Sequence, residues 1–441
     1  MTGAIISISL LWMVALTLAG YWWQSVRDHG KRLDQLDVRI HVNGIRGKST
    51  VTRLVASVMR EGGFVTVAKT TGSAARVIGP LGEETPIRRT GAPTINEQIA
   101  VVREHVVPGV EGLVMECMAV RPLYQEYSQD HMVKSDITVI TNVREDHQEE
   151  MGETLEEIAD SLALTVPRTG VLITAEERPE LRDRLAQRAA ERSSRFIYAD
   201  PAGVTDDDMR GFDYLQFKEN VAIGLSIAEL LGISREAAIR GMWKGVPDVG
   251  VVRLRTVRIR DKSVTWVPMF AANDRESVVL TLQSLVAQFP SDATVIGILN
   301  NRLDRGRRAE LFAQMASEDL EPFLDHTVLF GAFEDTVEHI ILAHGMPPER
   351  LHRMGDSLRL SLEEILDGIA ALIPGEHGVL IGMVNIHTHQ AELLLEHMAH
   401  EIGAEHVDEL LESLNPARQP DARRRLRYAA ARRTPAVADS S

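Results

Sequence analysis

The chain has 441 residues, an apolar fraction of 44% and a formal net charge of −15, which suits two or three globular domains with cores of their own. So negative a balance argues against a nucleic-acid backbone as partner, because most of the surface would repel it. The one cysteine, Cys117, excludes a disulfide framework, fits a reducing compartment and reads as core packing in an apolar strand.

In chain order, the first element is an uncharged run from Gly3 to Trp23, ending in Tyr21, Trp22 and Trp23 and followed by Arg27, Lys31 and Arg32. About 20 apolar residues span a bilayer as a helix, aromatic rings settle at the headgroups, and positive charge that follows favours a cytoplasmic side. The expectation is a transmembrane anchor over residues 1–24, a charged linker over 25–37, and catalytic domains on the cytoplasmic face of the cell membrane.

Residues 38–50, Val-Arg-Ile-His-Val-Asn-Gly-Ile-Arg-Gly-Lys-Ser-Thr, read as a short apolar strand running into a glycine-bounded lysine and a hydroxyl pair. Gly44 and Gly47 let the backbone turn tightly and point N–H groups at phosphate oxygens, while a helix opening near Lys48 aims its positive end at the same anion. Lys48 is placed to neutralise phosphate charge, and Ser49 or Thr50 to bind Mg²⁺. Asn43 and Arg46 flank this cradle and complete the nucleotide-binding set there.

Strands follow at 65–69, 112–118, 137–143 and 171–174, alternating with helical stretches at 50–60, 95–104 and 155–166. This alternation predicts a doubly wound parallel sheet over residues 38–250. The strand at 112–118 delivers Glu116, and the strand at 137–143 leads to Asn142, Asp146 and His147. Strand C-terminal ends share one edge of a parallel sheet, so these groups should converge on the cradle. A carboxylate, an imidazole and the Ser49 hydroxyl suit Mg²⁺ with phosphate and water. Thr71 and the arginines of the loop region after it, Arg76, Arg88 and Arg89, are the substrate-side candidates, the arginines for clamping substrate carboxylates. Pro247, Asp248, Gly250 and Arg253 mark a change of domain. Strands at 264–272, 294–299, 326–330 and 378–384 then predict a smaller Rossmann-like domain over 251–395. The remainder, 396–441, reads as a helix and a basic disordered tail, whose arginines are either solvated filler or a contact for anionic headgroups or the polyanionic product.

The compact Gly-x-x-Gly-Lys-Ser-Thr spacing and the Thr-Asn-x-x-x-Asp-His pattern at 141–147 resemble the Mur ligase superfamily. The stretches 43–53, Lys69-Thr-Thr-Gly72, Ile95-Asn-Glu-Gln98, Glu116-Cys-Met-Ala-Val120 and Asn385-Ile-His387 are similar to the ligase subunits of poly-γ-glutamate synthases, the PgsB or CapB type. This resemblance covers residues 38 to about 395. It implies an α/β, Mur ligase-like fold and an ATP- and Mg²⁺-dependent ligase that forms γ-glutamyl bonds through an acyl phosphate. It further implies Glu116 and His147 as metal ligands beside Ser49, Asn142 orienting the triphosphate, Arg253 reaching the nucleotide phosphates, and Asn273, Asp274 and Arg302 on the nucleotide. The implied partners are glutamate, the growing poly-γ-glutamate chain, the membrane and integral-membrane subunits of the PgsC/CapC and PgsA/CapA types, with a homo-oligomer expected.

Two departures stand out. Many Mur ligases carry a carbamylated lysine after the histidine, yet no lysine lies between Lys134 and Lys218, so either Glu153, Glu156 or Asp160 replaces it or one metal suffices. The chain also has its apolar run where peptidoglycan ligases have a uridine-nucleotide domain, which disfavours a peptidoglycan precursor. The alternatives are a ligase for another amino acid or a folate-like acceptor, and an NTPase that powers export without forming a bond.

Overall fold

The computed structural model describes residues 2–71, 75–89, 91–248, 252–270, 275–286, 288–385 and 388–402, with side chains from Trp12 onward apart from Ala399. The chain divides into two compact units, Met1–Leu254 with Ala271–Ala287, and Arg255–Phe270 with Gln288–Ser441.

The N-terminal segment is a single helix, Thr2–Asp34, which corrects the expected anchor and linker. Among the described residues no helix is long and apolar enough to cross a membrane. The helix runs on without a break past Trp23 through Arg27, Asp28, Lys31 and Arg32. Membrane placement drawn from that anchor falls with it. The end of the helix is instead seated on the first unit: Leu33 is fully buried, His29 Nε2 lies 2.8 Å from the Met132 carbonyl, and Arg32 donates to the Val106 carbonyl at 2.9 Å.

The first unit is built on β1 (Val38–Asn43), β2 (Thr66–Lys69), β3 (Arg76–Ile78), β4 (Glu84–Pro86), β5 (Gly112–Glu116), β6 (Ile137–Ile140), β7 (Val171–Thr174) and β8 (Arg195–Tyr198). They form one sheet in the order β4-β3-β2-β5-β1-β6-β7-β8. Its ladders are parallel except at β2–β3 and β3–β4. The sequence pattern did not reveal that antiparallel edge, because three-residue strands beside Gly79, Pro80 and Gly82 carry no readable period.

Alternation along β1 sets the layers. Val38, Ile40 and Val42 pack into a core shared with Val51, Leu54, Val55 and Val58 of the helix Lys48–Glu61. Those helical positions recur at the spacing of one apolar face. The helix stops at Gly62, whose N–H reaches the Val58 carbonyl at 2.9 Å, and Gly63 turns the chain away at φ +93°. The opposite face of β1 is polar and buried. His41 Nδ1 lies 3.0 Å from the Gln129 amide, and Asn43 Nδ2 donates to Gln125 Oε1 at 2.7 Å. Register places Val42 beside Glu116 of β5 and Asn43 beside Ile140 of β6. The loops after β1, β2, β5 and β6 therefore leave from one edge.

The second unit holds β9 (Arg255–Ile259), β10 (Lys262–Pro268), β11 (Thr294–Asn301), β12 (His326–Gly331), β13 (Leu351–Arg353) and β14 (His377–Met383), in the order β13-β12-β11-β14-β10-β9. Only β9–β10 is antiparallel. Trp266, Ile296, Ile298, Phe330 and Leu380 belong to its core.

Leu54 is 1% exposed, so Leu54→Ala should lower stability of the first unit by about 2–5 kcal/mol, read from its urea midpoint. His41 gives a pH test. Burial pushes its pKa from 6.5 down to about 4, with the Gln129 bond opposing and the Lys69 charge assisting. The unfolded chain then takes up the proton first, so stability is full above the ordinary value and falls between about pH 6.5 and 4, by up to roughly 3 kcal/mol. His41→Gln should flatten that slope in urea titrations across the same range.

Candidate nucleotide and metal site

The cradle forms where β1 ends. Gly44 has φ +123° and Gly47 φ +77°, both in territory that favours glycine. A Cβ on Gly44 would lie 2.8 Å from Thr141 N and would overlap Thr141 Oγ1. The loop is pinned from the β6 side: Asn142 Oδ1 accepts from Arg46 N at 3.0 Å, and Asn142 Nδ2 and Thr141 Oγ1 donate to the Arg46 carbonyl at 3.1 and 2.6 Å. Gly47 caps the helix Lys48–Glu61 without a side-chain partner, leaving the first-turn N–H groups and helix dipole for an anion. Lys48 folds over its own loop, with Nζ donating to the Gly44 carbonyl at 2.8 Å and the Ile45 carbonyl at 3.1 Å. Burial pushes its pKa below the ordinary lysine value, and the Glu116 charge opposes that shift. Thr50 sits in the same first turn, half-buried.

Glu116, at the end of β5 and 2% exposed, gathers three segments. It accepts from Ser49 Oγ at 2.9 Å, from Thr71 N at 2.7 Å and from Thr71 Oγ1 at 2.5 Å. Ser49 and Glu116 thus present adjoining hard oxygens at a helix N-terminus, a donor set that fits Mg²⁺ with phosphate and water. His147 stands at φ +53°, with Nε2 3.9 Å from Asp146 Oδ2 and its side chain 48% exposed. Among the described residues no group of three or more His, Cys, Asp or Glu is arranged to hold a metal. Ser49 and Glu116 are joined by their hydrogen bond, and the described contact of His147 is with Asp146.

Other expected residues have structural partners. The Asn43 amide turns into the layer beneath the sheet, toward Gln125 and Thr165, and away from the cradle. Arg46 Nη2 pairs with Asp146 at 3.0 Å. Arg76 meets Glu84 at 3.5 Å across the β3–β4 hairpin, Arg89 forks onto Glu97 at 2.6 and 3.1 Å, and Arg88 is exposed. Arg253 lies 3.6 Å from Asp213, and its Nε is buried with no partner. In the second unit, Arg302 is bound to Asp304 at 2.9 and 2.8 Å. Asn273 and Asp274 lie outside the described residues, as does the arginine-rich tail. Among the carbamate substitutes, Glu153 and Glu156 are exposed. Asp160 is held by Arg188 at 2.8 Å and by Arg184, which keep its carboxyl far below the usual range.

Lys69 is the residue sequence reasoning passed over. It is fully buried at the end of β2, with Nζ 3.6 Å from Glu97 Oε2 and 3.4 Å from Met118 Sδ. Burial pushes its pKa down, and the Glu97 and Glu116 charges oppose that shift. The available signal was a lysine closing an apolar strand one residue before two threonines.

Comparison with known proteins places this geometry. Residues 42–227 match the Mur ligase middle domain, and residues 254–401 match the poly-gamma-glutamate synthase CapB C-terminal domain. The chain is 38% identical over 379 residues to PGA synthase CapB of Bacillus subtilis (strain 168), covering 84% of this chain and 92% of that one. It is 40% identical over 325 residues to the capsule biosynthesis protein CapB of Bacillus anthracis, covering 73% and 68%. Among solved structures it shares the fold of MurF from Acinetobacter baumannii, with TM-score 0.58, 16% identity and coverage of 85% of this chain and 79% of that one. It is equally similar to E. coli FolC in complex with ADP, with TM-score 0.58, 16% identity and coverage of 86% and 93%. By its two domain matches and its identity to these relatives over most of their length, the chain belongs to the CapB family of poly-gamma-glutamate synthases.

Proposed function

We propose that this chain is an ATP-dependent amide ligase of poly-γ-glutamate synthesis that activates a glutamyl γ-carboxylate as an acyl phosphate. The observation that carries the reading is the cradle itself, with Lys48 over the Gly44–Gly47 loop and the Ser49–Glu116–Thr71 cluster beside it. A carboxylate does not acylate an amine, because its carbonyl carbon is electron-rich and oxide is a poor leaving group. Its oxygen therefore attacks the γ-phosphorus of ATP and ADP leaves; an amino group then attacks the acyl carbon, forming the amide as phosphate departs and the nitrogen gives up its proton.

Each contact has a task in that scheme. The loop N–H groups and the helix dipole hold the phosphates, and Lys48 offsets charge on the transferring phosphoryl group. To reach it, Lys48 exchanges its two loop carbonyls for phosphate oxygens. Ser49 and Glu116 would hold Mg²⁺, which supplies charge neutralisation at the phosphates. The Asn142 clamp on Arg46 fixes the loop and so acts on its shape. The substrate-side cation is Arg88, the member of the arginine trio left exposed and outside the Glu84 and Glu97 pairs.

Hydroxylamine trapping tests the reading: with ATP and Mg²⁺, glutamate should yield a γ-hydroxamate with matching ADP. Lys48→Ala should keep the wild-type unfolding midpoint and reduce that signal by at least about a hundredfold, as expected when a preorganised transition-state charge is removed. ATP hydrolysis with no hydroxamate from any amino acid would replace the ligase by an NTPase. Separately, Glu116→Gln should raise the Mg²⁺ concentration for half-maximal hydroxamate formation by about 10–100-fold, whereas His147→Gln should move it less. Equal shifts in the two variants would return His147 to the metal.

A further inference from the structure

The helix Lys48–Glu61 carries the cradle at its first turn and a second group of cations toward its other end. Arg53, Ser57, Arg60 and Glu61 from this helix, Glu84 of β4 and Lys244 line a cleft of about 290 Å³. Most charges there are matched. Arg53 is 3% exposed and meets Glu84 Oε2 at 3.2 Å and Asp248 at 3.6 Å, although its Nε is buried with no partner. Glu61 is met by Lys244 at 2.9 Å and Arg240 at 3.3 Å, and Glu84 also by Arg76 at 3.5 Å.

Arg60 is left over. Its Nη2 donates to Ser57 Oγ at 2.9 Å, its Nη1 is buried with no partner, and among the described residues no carboxylate forms an ion pair with it. Burial pushes the guanidinium below its ordinary value, with the charges of Glu83 and Glu84 opposing. A partly buried guanidinium with one buried, unfilled N–H group is costly, and its planar fork matches a carboxylate.

We propose that this cleft is a carboxylate subsite for the γ-glutamyl chain, with Arg60 clamping one free α-carboxylate of the polymer and Lys244 at the rim adding charge; this rests on the ligase reading above. Arg60 lies 12 residues beyond Lys48 on one helix, about 18 Å along its axis at 1.5 Å per residue. The carboxylate held there belongs to a residue several units from the reacting end. Such a grip keeps an elongating polyanion on the enzyme between additions by raising its local concentration at the site.

The test uses the full chain and a fluorescently labelled γ-glutamyl decamer followed by anisotropy. Arg60→Gln should weaken decamer binding by about tenfold, the loss of one charge-assisted contact, while hydroxamate formation from free glutamate and the unfolding midpoint stay at wild-type values. Lys244→Gln, at an exposed position, should weaken binding by a smaller factor and guards against a folding defect in the first variant. Equal decamer affinity in wild type and both variants overturns the subsite. So does displacement of the decamer by inorganic phosphate at matched ionic strength, which would mark a general anion site. If decamer binding depends on Arg60 while no amino acid yields a hydroxamate, the ligase reading fails and the subsite remains.

Discussion

The hydrogen bonds converging on Glu116 are the constraint on which the site depends. One carboxylate on β5 takes the Ser49 hydroxyl from the cradle helix and both polar groups of Thr71 from the loop after β2. Three segments distant in sequence are thereby fixed against a single buried charge at one edge of the sheet. Such a group is expensive to bury alone and stabilising only when its acceptors are filled. The parallel register makes filling possible, because Val42 pairs with Glu116 and Lys69 with Met115, so the strands end close together and their loops leave from one edge.

What the sequence made legible follows from how local each signal is. The cradle was readable because a strand, two glycines, a lysine and two hydroxyls occupy 13 consecutive positions, 38–50, and local spacing alone defines the turn. The parallel core was readable for the same reason, through apolar strands alternating with helices. The fate of the arginines was not. Arg76 closes on Glu84 through a hairpin of two three-residue strands, and Arg89 on Glu97 across a loop, and neither pairing leaves a period to read. Asn43 is a related case: it belongs to the motif by position, but alternation along β1 sends its side chain to the polar face opposite Val42. The N-terminal run misled because length without charge is one signature for two outcomes, and the described helix continues past Val26 through charged residues onto the first unit.

The polar layer beneath β1 explains how a central strand tolerates His41 and Asn43. Gln125, Gln129, Ser135, Thr138 and Thr165 supply the donors and acceptors, with Thr138 Oγ1 donating to the Thr165 carbonyl at 2.6 Å and Gln125 Nε2 to Ser161 Oγ at 3.0 Å. A network of this kind adds little net stability over an apolar core of the same volume, but it admits few alternative arrangements. It lies directly under the strand whose end becomes the phosphate loop, so the level and twist of Gly44 are set by matched hydrogen bonds as well as by packing.

Lys69 extends the same logic to charge. A lysine ammonium at zero exposure is held only if carboxylates compensate it, and Glu97 at 3.6 Å does so while itself forked by Arg89. Desolvation works against the Glu97 carboxylate, yet the Arg89 hydrogen bonds and the Lys69 and Arg89 charges keep its pKa below the ordinary value. The row Arg89, Glu97, Lys69, Glu116 therefore alternates in sign from the rim toward the cradle. Each member offsets the burial of the next, and the last one faces Ser49. An incoming nucleotide adds negative charge beside Glu116, and Lys48 and the helix dipole, with the Mg²⁺ that Ser49 and Glu116 would hold, offset the two like charges.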